Sequence, residues 1–178
     1  MLPATWLSIV LFSALGPKAH PVSRPLVRAA AVTPACGNLV VTATPASISF
    51  LASDPDSPAV AGNAVASITW QSAGQARQPW TLSIQTGAGT FESCPAIPVS
   101  AVLVTCSRAA VSGTGGSGLC SAAAPLSALP RVVASGDESA SNASYQVSLS
   151  FTLTDSWKYA AEINPPCTIS LTYTVNFQ

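Results

Sequence analysis

Apolar and polar residues alternate with a period of two along most of this chain. Ala64, Ala66, Ile68 and Trp70 alternate with Val65, Ser67 and Thr69. Trp80, Leu82 and Ile84 alternate with Thr81, Ser83 and Gln85. Two longer runs follow the same rule. In one, Val147, Leu149, Phe151 and Leu153 alternate with Gln146, Ser148, Ser150 and Thr152. In the other, Ile169, Leu171, Tyr173, Val175 and Phe177 alternate with Thr168, Ser170, Thr172, Thr174 and Asn176. Successive side chains of a strand point to opposite faces, so each run predicts a strand with one buried face. Shorter runs at Leu39–Thr44, Ile48–Phe50, Val102–Cys106 and Arg131–Ser135 add to the set.

Turn chemistry separates the runs. Asp54-Pro55-Asp56-Ser57-Pro58 cannot be strand interior, because proline has no N–H to give a ladder. Gln71–Pro79, Gly87-Ala88-Gly89 and Gly136–Ser144 read as polar loops, and Ser112–Gly118 (SGTGGSG) as a flexible one. Ala122–Leu129 is the one predicted short helix. About seven strands with turn signals between them predict an all-β fold, an Ig-like antiparallel β-sandwich.

Composition locates the domain. Residues Trp6–Leu15 (WLSIVLFSAL) are apolar, end at Gly16-Pro17, and are too short to cross a bilayer. They read as the core of an export segment occupying residues 1–30, followed by a lead-in at 31–38 and one domain at 39–178. Without residues 1–30, four basic residues remain against seven acidic ones, a net charge of −3. Phosphate binding needs Lys and Arg, so no nucleic-acid partner is expected. No membrane span is expected in the mature chain, and the expected location is secreted or cell-surface.

The five cysteines are Cys36, Cys94, Cys106, Cys120 and Cys167. None forms a C-x-x-C pair, so they lack zinc-site spacing, and in an oxidising compartment they read as disulfides. The preferred pairs are Cys106–Cys120, closing the Gly-rich loop, and Cys94–Cys167, tying a mid-chain loop to the last strand. Spacing alone does not choose among the connectivities that remain. Cys36 is left as a free or intermolecular thiol. The residues before it lack the Leu that a lipidated cysteine requires.

Candidate chemistry is sparse. The single histidine, His20, lies in the export segment, which removes Ser-His and Cys-His mechanisms from the mature chain. Asp54/Asp56 and Asp137/Glu138 sit in turns, where Asp is favoured for hydrogen bonding to backbone. No catalytic residue, metal site or cofactor is expected. Trp70 and Trp80 share the phase of their apolar neighbours and read as core. Trp157, just past a strand end, is the candidate aromatic contact to a ligand such as a sugar.

Two resemblances follow from these residues. Trp80-Thr81-Leu82 in one strand, and Phe151-Thr152-Leu153 late in the chain, resemble the paired signatures of secreted bacterial WxL-type β-sandwich proteins. Trp80 and Leu82 match the first signature. In the second, Phe151 replaces the family's Trp and only Leu153 carries over. The resemblance implies a sandwich at the cell surface with a structural or adhesive role. The closing strand, with Phe177 as its penultimate residue, is similar to that of chaperone–usher pilus and spore-coat subunits. That likeness implies polymerisation by strand complementation, with Phe177 as a partner contact. The expected partners are thus a cell-surface component or copies of the chain itself. A carbohydrate-binding module is the third expectation.

Overall fold

The computed structural model describes residues 41–51, 59–72, 78–139, 141–154, 159 and 166–178. Among these residues eleven strands form: β1 (Val41–Thr44), β2 (Ser47–Phe50), β3 (Ala59–Ala61), β4 (Ala66–Ser72), β5 (Pro79–Thr86), β6 (Val102–Ser112), β7 (Leu119–Cys120), β8 (Ala124–Pro125), β9 (Arg131–Asp137), β10 (Ala143–Thr154) and β11 (Cys167–Phe177). The alternating runs became the long strands. β3, β7 and β8 are edge segments of two or three residues, too short for alternation to reveal.

Two antiparallel sheets pack face to face. The first runs β1-β4-β10-β6-β8, with β3 also on β10, and the second runs β2-β11-β5-β9-β7. The fold is therefore an all-β antiparallel sandwich. Its path alternates: among β4, β5, β6, β9, β10 and β11, each strand lies in the sheet opposite its predecessor. The first run of the domain is shared between sheets. β1 pairs with β4, and β2 pairs with β11. Pro45 lies between them, joined to Thr44 by a cis peptide bond. Its missing N–H ends the first ladder there.

The core is filled by the inward positions that alternation predicted. Ile68, Trp70, Leu82, Ile84, Val147, Leu149, Phe151, Leu153, Ile169, Tyr173 and Val175 are all buried. Two β-bulges adjust the phase. In β6, Cys106 faces Leu149 and Arg108 faces Ser148, which leaves Ser107 as the extra residue. After the bulge, Ala109 and Val111 are set opposite Val147 and Tyr145 and pack against the core. In β9, Val133 is the extra residue, and Ala134 and Gly136 then stand opposite Leu82 and Trp80.

The expected helix at Ala122–Leu129 is not formed. Pro125 cannot donate within a helix. Ala124 and Pro125 instead lie along β6 opposite Val104 and Leu103, and the Leu126 N–H donates to the Val102 carbonyl at 2.8 Å. Leu126 is buried in the core. One short 3-10 turn occurs elsewhere, at Val99–Ala101.

Candidate functional site

The densest side-chain constellation lies at one end of the sandwich. Trp70 on β4 stacks on Tyr145 of β10, with ring centroids 5.2 Å apart and planes 5° apart. Trp80 on β5 meets both rings edge-on, at 5.0 Å from Trp70 and 5.8 Å from Tyr145. Trp70 and Trp80 are only 2% and 1% exposed, so neither indole presents a face to a ligand. Offset and edge-on contacts of this kind are worth roughly 0.5–1.5 kcal/mol per pair beyond the area they bury.

Two polar segments close over this trio. The Trp80 indole N–H donates to the Ser117 carbonyl at 3.2 Å, and the Tyr145 hydroxyl accepts the Ser139 N–H at 2.7 Å. Ser117 is paired with Asp137 three times. Its N–H donates to the Asp137 carbonyl, its hydroxyl donates to the Asp137 carboxylate, and it accepts the Asp137 N–H, each at 3.0 Å. The Ser139 hydroxyl donates to the Thr114 carbonyl, and Ser141 joins both residues. Gly113 and Gly115 adopt φ of 129° and 83°, which favours glycine. The SGTGGSG segment, expected to be flexible, is thus a hydrogen-bonded cap. Each half supplies the partners that the other half's polar groups need, a relation invisible to composition.

Burial holds the Tyr145 hydroxyl above its ordinary pKa, and the nearby Glu138 and Asp137 add to the rise. The Ser139 N–H partly offsets it. Tyr173, deeper in the core, is raised further by burial. The cluster holds hydroxyls, backbone groups and the Asp137 carboxylate, which accepts the Ser117 hydroxyl.

The structure joins Cys94 to Cys167 and Cys106 to Cys120, with Cα separations of 5.8 Å and 5.4 Å. These are the two pairs preferred from the sequence, among connectivities that spacing alone left open. Cys94–Cys167 is internal, its members 5% and 0% exposed. Cys106–Cys120 links β6 of one sheet to β7 of the other at their shared border, and Cys120 is exposed. Cys36 and Trp157 lie outside the described residues, as do His20, Asp54 and Asp56.

The other singled-out residues do not converge. Trp80 and Leu82 face Phe177 and Val175 across the β5–β11 ladder. Leu153 sits on the other sheet, opposite Val60 and Val102. It is eight residues along β10 from Tyr145, about 26 Å at strand rise. Leu82 and Leu153 are buried, and Phe177 is half-buried against the core.

The outward faces carry a feature that alternation implied without displaying. Of the eleven strands, only β6 and β9 contain a charged residue: Arg108, and Arg131 with Asp137. On the second sheet, uncharged polar pairs line up in rows: Ser49–Thr168, Ser47–Ser170, Gln85–Thr172, Thr81–Asn176 and Ser83–Thr174, of which Ser83 is itself buried. On the first sheet, Thr42, Thr69 and Gln146 share one row, and Thr44, Ser67, Ser148 and Arg108 share the next. Among the described residues, no His/Cys/Asp/Glu group could hold a metal ion, and no helix is long and apolar enough to cross a membrane.

Comparison with protein-family models, with curated proteins and with solved structures returned no match. The class of this protein therefore rests on its own architecture, a disulfide-linked antiparallel β-sandwich.

Proposed function

We propose that this chain is an exported, non-enzymatic structural or adhesive protein of the cell surface. The observation that carries the reading is the character of the two sheet faces. Surfaces of Ser, Thr, Gln and Asn with few charges (Arg108, Arg131 and Asp137) hydrogen-bond to neutral polar matter, and neither salt nor pH screens or titrates that neutral bonding. Two disulfides are compatible with an oxidising compartment. The described acids Glu92, Asp137 and Glu138 lie in loops and at a strand end, and Asp137 is engaged by Ser117.

The alternative, a polymerising subunit completed by a donated strand, needs an apolar groove beside the closing strand. Tyr173 and Val175, the inward residues of that strand, are each 2% exposed, which favours a self-contained sandwich. Trp157, the contact that a sugar-binding role would use, lies outside the described residues.

Sedimentation of the purified mature chain with neutral and acidic cell-surface polysaccharides tests the proposal. Retention on a neutral matrix that persists in high salt is expected. Enzymatic turnover abolished by changing Asp137 or Glu138 would end the structural reading. Growth of filaments from purified monomer would replace it with the polymerising one.

A further inference from the structure

The two disulfides occupy opposite environments, and this difference has a consequence for the cap over the aromatic trio. Exchange begins when a thiolate reaches a disulfide sulfur, so access controls the rate. Cys94 and Cys167 are enclosed in the core. Cys120 is exposed on a two-residue edge strand, and Cys106 is half-buried. We propose that Cys106–Cys120 is a reducible latch on the cap, while Cys94–Cys167 is a permanent structural bond.

The chain between the two latch cysteines contains the cap. β7 meets β9 at two ladder positions, Leu119 opposite Ser135 and Cys120 opposite Ala134, flanked by the Ser117–Asp137 and Ser121–Val133 bonds. Within the same loop, Ser117 accepts the Trp80 indole N–H, and Gly118 lies against the Ala109 backbone. The reductant is an external dithiol. Its first thiolate attacks the Cys120 sulfur, forming a mixed disulfide as the Cys106–Cys120 bond breaks. The electron pair leaves on the Cys106 sulfur, which takes a proton from water. The second thiolate of the dithiol then closes its own ring and releases the Cys120 thiol. Two electrons pass to the protein, and the dithiol becomes a cyclic disulfide. Once the bond is open, the cap is held only by its hydrogen bonds and packing, and the Trp80 end of the sandwich gains access to water.

The test uses the full chain in dithiothreitol without denaturant, quenched at intervals with iodoacetamide and mapped by peptide mass spectrometry. Alkylated Cys106 and Cys120 should appear at least about tenfold sooner than alkylated Cys94 and Cys167. Tryptophan emission should shift to the red while the far-ultraviolet circular dichroism stays unchanged. Equal rates for the two bonds, or earlier loss of Cys94–Cys167, would overturn the proposal. Unchanged emission after selective reduction would overturn it equally. The double variant C106S/C120S should reproduce the reduced emission spectrum. If that variant does not fold, the wild-type reduction series alone decides.

Discussion

Gly136→Ala is the sharpest perturbation of the cap. Gly136 stands on β9 opposite Trp80. A Cβ there would be driven into the Ser117 carbonyl and would lie 2.8 Å from Cζ2 of the Trp80 ring. Neither neighbour is a flexible side-chain end, so the cap must move. Overpacking of this kind costs about 1–3 kcal/mol. Displacing Ser117 also weakens its bond to Trp80 and its pairing with Asp137, by about 2 kcal/mol in all. The expected loss is roughly 3–5 kcal/mol, a fall in Tm of roughly 10 °C for a domain of this size. Gly87→Ala is the control, since nothing lies within 4 Å of its Cβ. Urea denaturation followed by tryptophan fluorescence reads both variants. If the loop were a slack linker, Gly136→Ala would be neutral or slightly stabilising through the unfolded chain. A Gly136→Ala variant within about 0.5 kcal/mol of the parent, the range of an inconsequential surface change, would refute the cap.

Further outcomes follow from the same geometry. Trp70 Nε1 is buried with no hydrogen-bond partner among the described residues, whereas Trp80 Nε1 has Ser117. Trp70→Phe should therefore cost at least about 1 kcal/mol less than Trp80→Phe in denaturant melts. Tyr145 and Tyr173 have raised pKa values in the folded state, so their contribution to stability is complete below the unfolded tyrosine value and lost as pH rises above it. Stability should hold up to about pH 10 and fall beyond it. Absorbance at alkaline pH should show these two phenols ionising together with unfolding. The cysteine separations are 73 and 14 residues, so removing Cys94–Cys167 should cost about 4 kcal/mol and removing Cys106–Cys120 about 3 kcal/mol. Equilibrium melts of the paired serine variants measure both.

The period-two pattern alone was sufficient for the class of fold, because a strand half-buried in a sandwich must alternate. Ile68, Leu149 and Val175 declare their direction without reference to any partner. Trp70 and Trp80 declare theirs as core residues in the same way. Local pattern could not show which strands pair. The crossing path from β4 to β11, and the sharing of β1 and β2 between sheets, depend on contacts between residues far apart in the chain. The Ala122–Leu129 segment illustrates the limit. Its composition allows a helix, but the open edge of β6 offers Ala124 and Pro125 a place in a ladder. The SGTGGSG segment illustrates it more strongly. Read alone, its glycines mean slackness. In the folded molecule Gly113 and Gly115 supply positive φ, Gly116 gives room to the Tyr145 hydroxyl, and Ser117 finds Asp137. Alternation and turn chemistry determined what each segment is. Only the tertiary structure decided what each segment meets, because the partners of a buried polar group are chosen across the fold and not along the chain.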